Sequence, residues 1–290
     1  MCCHSQPERS GGEEYRPLHK RTFLILLVSL ILFMLLSWPV WRWLWSEWWS
    51  NDYYSHGLLI PPVSAYLAWR RRPAEKLRGD NCGLVLTACG VGLFLFLVTS
   101  QAYYLAAFAM IIMLAGIVWT FGGIGLLRRL AFPLGFLGLM VPLPFVERIT
   151  LPLSLWTGAC SGWLARWLGL DVTVTGNAVT LPDTKLVIGA QCSGINSIIS
   201  LFTLTTLLAY VLSGPLCGRL ALVATAIPLA MLGNILRVSS LLFVAHYLGG
   251  EAAFRFHHDY SGPIFFVAVL LLLIPLAKVF QCDTLRFERL

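Results

Sequence analysis

Eight apolar stretches, most of them close to 20 residues long, follow one another between Thr22 and Phe280, with the charges gathered between them. A spanning α-helix needs roughly 20 such residues, and a water-soluble core does not use that many in series. Only 12% of the chain is charged, roughly half the share of an ordinary soluble domain. The chain therefore reads as an all-α polytopic membrane protein, with the lipid bilayer as its first partner.

The runs cover residues 22–40, 56–69, 82–100, 103–120, 130–144, 193–213, 220–248 and 264–280. The second is short and is interrupted by Pro61-Pro62, which predicts a kink or a re-entrant start. Tryptophans between Trp41 and Trp49 suit a membrane–water interface. With the amino terminus inside, Arg70-Arg71-Arg72, Arg128-Arg129, Arg219, Arg286 and Arg289 fall on the cytoplasmic side. Glu47, Asp52, Glu251 and Asp259 fall on the other. That bias is the positive-inside pattern, so the net charge of +7 reports topology, and no nucleic-acid partner is expected. Three regions result: a polar cytoplasmic tail over 1–21, a membrane domain over 22–281 and a second cytoplasmic tail over 282–290. The first run lacks a small-residue cleavage site after it and reads as a retained helix.

The loop over 145–191 is unusually long. Its first half places Leu151, Leu155, Trp156, Leu164 and Trp167 as an amphipathic helix lying at the interface. Its second half alternates from Val172 to Leu181, turns at Pro182-Asp183, and predicts a small extracytoplasmic β-hairpin completed by Lys185-Leu186-Val187-Ile188 before the sixth span.

Eight cysteines lack CxxC or Cys/His zinc spacing, so neither a metal nor another cofactor is expected. Three sites stand out against the apolar background. Cys192 opens the sixth span, where a helix dipole would favour the thiolate; it is equally a small packing residue. Arg237 lies about five turns into the seventh span, some 25 Å from its start, and is costly there unless it is paired, faces a polar cavity or snorkels to the interface. Asn234, one turn earlier, extends a polar face. His257 and His258 precede the eighth span, whose start is marked by Ser261-Gly262-Pro263, as proton carriers or as a solvated loop pair. His246 reads as a helix-end residue and His56 as an interfacial one. Topology puts Cys192, Arg237 and the histidines at one side of consecutive spans, which gathers a nucleophile, a base and an oxyanion-stabilising cation.

Together these segments resemble the exosortase/archaeosortase family, over about residues 45–281. The resemblance rests on Asp52-Tyr53-Tyr54-Ser55-His56-Gly57 with Pro61-Pro62 and Trp69-Arg70-Arg71-Arg72, on Gly176-Asn177 with Leu181-Pro182, on Cys192-Ser193-Gly194, on Asn234-Ile235-Leu236-Arg237-Val238, and on His258 four residues before Gly262. It implies a membrane-embedded cysteine transpeptidase of the bacterial exosortase type, with Cys192 as nucleophile, Arg237 as its arginine and His258 as the third catalytic member; His257 is the alternative. It further implies substrate proteins ending in a sorting signal (a short Pro-containing motif, one helix and a basic end), an inner-membrane location with the site facing outward, and exopolysaccharide assembly proteins as a further partner class. Ala159-Cys160-Ser161-Gly162 mimics the nucleophile motif but has no hairpin before it and no full span after it. The rival readings are a polytopic transporter, which would show an inverted repeat or matched broken helices, a non-catalytic component of exopolysaccharide export, and a membrane acyltransferase.

Overall fold

In the computed structural model, residues 20–71, 79–176, 178–182, 185–189, 192–282 and 284–285 are described, apart from the side chains of Lys20 and residues 257–259. Among the described residues, eleven α-helices carry the fold. The first, α1 (Lys20–Leu36), stops at Ser37, and α2 (Trp38–Ser50) continues at an angle of 59°. Pro39 forces the break, since its ring removes a helix donor and crowds the preceding turn. The tryptophan stretch is thus helical. It buries Val40, Leu44 and Trp48 at four-residue spacing and turns Trp38, Trp45 and Trp49 outward.

A 3-10 turn (Ser55–Leu59) leads into α3 (Ile60–Arg70). Pro61 and Pro62 occupy its first turn, where the missing N–H groups would have no partner anyway, so they start this helix rather than kink it. Its 11 residues rise only about 16 Å, too little for a span by itself. Next, α4 (Cys82–Thr99) and α5 (Tyr103–Arg129) form a tight helical hairpin. Glycine lets their backbones approach: a Cβ on Gly90 would sit 3.0 Å from Met113, and one on Gly116 would collide with Thr87.

Beyond α6 (Ala131–Phe136) the chain passes a 3-10 turn and bends by 67° into α7 (Phe145–Trp167). This helix is amphipathic, with the polarity reversed from a soluble protein. Its small residues Thr150, Ser154, Thr157, Ser161 and Gly162 are buried, while Leu151, Trp156, Trp163 and Trp167 face outward. Three short antiparallel strands follow where a two-stranded hairpin is predicted: β1 (Thr173–Thr175), β2 (Ala178–Thr180) and β3 (Lys185–Val187). Gly176, with φ of 62°, reverses the chain inside the alternating stretch and splits it in two.

The last third contains α8 (Ile195–Val211), α9 (Leu216–Ala224), α10 (Ala226–Arg255) and α11 (Gly262–Val279). As predicted, Pro263 opens α11. A two-residue strand β4 (Leu212–Ser213) pairs with β5 (Thr284–Leu285), which ties part of the predicted cytoplasmic tail back to the α8–α9 turn.

Among the described residues, four helical segments are long and apolar enough to span: Cys82–Thr99, Tyr103–Arg129, Leu216–Arg255 and Gly262–Val279. Counting each bent pair as one span gives six, where hydropathy alone counts eight; the remaining two runs form the short helices α3 and α8.

Contacts sort the bundle into two ends. At one, Arg71 donates to the Arg129 carbonyl at 3.0 Å and its guanidinium lies 4.7 Å from the Tyr210 ring. Trp119 donates to Asp80 nearby at 3.1 Å. At the other, Trp48 donates to the Met140 carbonyl, the Leu143 amide donates to the Tyr54 hydroxyl, and Trp43 stacks on Tyr103. Arginines 71 and 129 share the first end, in keeping with the charge pattern.

Candidate active site

The segment before α8 folds back on itself. The Cys192 amide donates to the Gly189 carbonyl at 3.0 Å, and the Ile195 amide donates to the Ser193 hydroxyl at 3.3 Å. Gly194, with φ of 79°, is the N-cap of α8. It must be glycine for two reasons: the backbone is left-handed, and a Cβ there would sit 2.8 Å from the Asn234 amide nitrogen. Cys192 therefore lies just before the helix, two residues ahead of its cap, and is packed among Ile188, Val238 and Leu242 with 6% of its surface exposed.

Burial pushes the Cys192 thiol upward, opposed by the Arg237 guanidinium and a hydrogen bond with the Gly189 backbone. Desolvation of the thiolate is the largest of these influences, so the thiol is not lowered as the sequence alone predicts.

Arg237 extends from α10, one turn beyond Asn234. Asn234 locks the two segments together: its amide nitrogen donates to the Cys192 carbonyl at 2.7 Å and to the Thr157 hydroxyl of α7 at 3.2 Å. Both Asn234 and Arg237 line a cleft of about 330 Å³. Gly194, Ser197 and Ser200 of α8 form one wall, and Pro263 and Phe266 of α11 form another. Ser55, beside Tyr54, closes it from the 3-10 turn, which puts the cleft at the end opposite Arg71 and Arg129. Arg237 thus acts on the buried Cys192 thiol and also lines a small cleft of mixed polar and apolar walls, which Cys192 adjoins through Gly194.

By backbone, His257 and His258 fall in a π-helical turn (Phe256–Ser261) directly before the cleft residues Gly262 and Pro263; their side chains lie outside those described. His246 is exposed on α10, against Tyr247. His56 is half-buried beside Tyr54, and neither of its ring nitrogens has a hydrogen-bond partner among the described residues. Among the described residues, no three His, Cys, Asp or Glu side chains group as a metal site.

The look-alike motif has a structural use. Ser161 donates to the Ile235 carbonyl of α10 at 3.2 Å, and Gly162 leaves room for Val174 of β1. Cys160 is half-buried on that packing helix. Sequence reasoning passed over Thr157, Ser197 and Ser200, and met Ser55 only as part of the Asp52–Gly57 motif. Asn196, Ser197 and Ser200 recur at helical spacing within an apolar run, and that stripe was the available signal.

A family model described as transmembrane exosortase matches residues 48–275, most of the chain. The chain belongs to the transmembrane exosortase family. No curated protein and no solved structure matches it significantly. Trp48, the anchor of α2, and Pro275, inside α11, bound the exosortase match, so the cleft and the three-stranded sheet fall wholly within it. As an exosortase-family protein with apolar helices, the chain is an integral membrane protein.

Proposed function

We propose that this exosortase-family protein is a cysteine transpeptidase that cleaves carboxy-terminal sorting signals of exported proteins. The observation that carries this reading is the pairing of Cys192 with Arg237: the guanidinium acts on the buried thiol and lines a cleft whose wall includes Gly194, two residues from Cys192, and Gly262, directly after the histidine-bearing turn. The end opposite the arginines is where the polar motif of a membrane-anchored substrate would be presented, if its basic tail stays with the arginine-rich side. The protein would thus sit in the bacterial inner membrane with the cleft facing out.

In this mechanism the Cys192 sulfur attacks the scissile carbonyl carbon and the C–N bond breaks, leaving a thioester on Cys192. Arg237 stabilises the negative oxygen of the tetrahedral intermediate. His258 takes the proton of the attacking thiol and passes it to the leaving amine, which returns the imidazole to its neutral form. An incoming amine then attacks the thioester, loses a proton to the neutral histidine and frees the thiol; water in its place gives simple hydrolysis. No cofactor is required.

The test is replacement of Cys192 by Ala in the host, followed by the mass of proteins that end in a Pro-containing motif, an apolar helix and a basic cluster. Accumulation of full-length precursor supports the assignment. Normal processing overturns it and favours a transporter or an assembly component of exopolysaccharide export.

A further inference from the structure

We propose that Asn234 is a two-ended positioning residue: its nitrogen holds the Cys192 segment, and its oxygen Oδ1 receives a backbone N–H of the substrate beside the bond under attack. This rests on the transpeptidase reading.

Both hydrogens of the Asn234 amide are committed, one to the Cys192 carbonyl at 2.7 Å and one to Thr157 at 3.2 Å. A carbonyl oxygen can only accept, so the nitrogen must face Cys192, and the rotation of the amide is fixed. The side chain is 3% exposed and lines the cleft. Its Oδ1 has no hydrogen-bond partner among the described residues. A buried amide oxygen left unpaired costs free energy that a leucine of similar size would not. Nearby hydroxyls do not relieve it: the Ser200 hydroxyl donates to Asn196 instead, at 3.4 Å.

In the proposal, the donor for this oxygen arrives with the ligand. A peptide seated for attack by Cys192 carries an N–H on either side of the scissile carbonyl, and Gly262, with nothing within 4 Å of where a Cβ would stand, leaves room at the facing wall. Oδ1 is buried, so seating the substrate N–H on it requires the cleft wall to shift. Because one side chain grips both nucleophile and substrate, seating the peptide and aiming the thiol become a single event.

The experiment uses the full-length protein in liposomes and synthetic peptides spanning the motif and helix of a host protein of the sorting-signal class. Backbone N-methyl groups are placed singly at each position flanking the cleaved bond. With the wild-type protein, one position is expected to lower kcat/KM at least 10-fold. In Asn234→Ala that positional penalty is expected to fall below 2-fold, whereas Asn234→Asp, which keeps an acceptor but loses the donor, retains the penalty while kcat drops. Equal penalties in wild type and Asn234→Ala overturn the assignment and leave Asn234 structural. Should Asn234→Ala fail to fold, Thr157→Val releases one anchor of the amide; a penalty reduced at least 3-fold at the same position supports the proposal, and an unchanged one overturns it. A wild-type protein that cleaves none of the unmodified peptides refutes the transpeptidase reading itself and this assignment with it.

Discussion

The Trp48 indole nitrogen donates a 3.0 Å hydrogen bond to the carbonyl of Met140, 92 residues away, and so joins α2 to the bend that precedes α7. Trp48→Phe keeps the ring and strands the carbonyl, with an expected loss of about 1 kcal/mol. Gly57→Ala is expected to cost more, because its Cβ would collide with the same indole. Thermal unfolding of the two variants in detergent checks the order; equal midpoints would mean the indole does not hold this joint.

At Gly194, alanine would face both a left-handed backbone, worth about 1–2 kcal/mol, and the Asn234 amide at 2.8 Å. Gly194→Ala is expected to remain monodisperse on size exclusion while processing falls at least 10-fold. Gly189→Ala serves as the control, since no atom lies within 4 Å of where its Cβ would stand. A wild-type rate for Gly194→Ala would show that the Cys192 turn tolerates distortion.

Thiol alkylation proceeds through the thiolate, and burial holds the Cys192 thiol above the usual thiol range with Arg237 pulling against it. Alkylation of Cys192, followed by mass spectrometry, should therefore rise with pH along a curve displaced above that of an exposed cysteine. Arg237→Gln removes the opposing charge, so the curve moves further up. The variant reacts more slowly near pH 8 and approaches the wild-type rate only in strong alkali. Identical curves would show that the guanidinium does not act on the thiol.

The two similar cysteine motifs separate cleanly in activity. Cys160→Ala is expected to leave substrate processing within 2-fold of wild type, and Cys192→Ala to abolish it. Ser161→Val, which removes the donor to the Ile235 carbonyl at 3.2 Å, should lower stability by about 1 kcal/mol without changing which cysteine is essential. The reverse pattern would move the nucleophile to α7.

Hydropathy located α4 and α11 to within two residues, because an uninterrupted apolar run and a spanning helix are the same object. It overlooked the break at Ser37 and the bend after Met140, since a sliding average responds to lipid affinity and not to direction. The periodicity of α7 was legible, and its apolar residues do face outward; what it did not reveal is that the small polar residues of the other face pack against the rest of the protein. Around the site, Cys192 and Arg237 could be placed on one end from topology alone. The Thr157–Asn234–Cys192 chain could not, since its partners lie 77 and 42 residues apart and meet only through helix packing. The polar stripe of Asn196, Ser197 and Ser200 was legible and went unread, as serine and asparagine in an apolar helix draw less notice than a charge.

The reversed helix α7 changes how this protein would have to be engineered. A water-soluble or nanodisc-free variant made by surface redesign would begin at Leu151, Leu155, Trp156, Trp163 and Trp167, all turned outward. The serines, threonines and glycines that a conventional protocol would select as surface form the seam against α10 and the sheet. Polarity is therefore a misleading guide to tolerance along this helix: its largest apolar side chains are the replaceable ones, and its smallest polar side chains set the spacing on which the cleft depends.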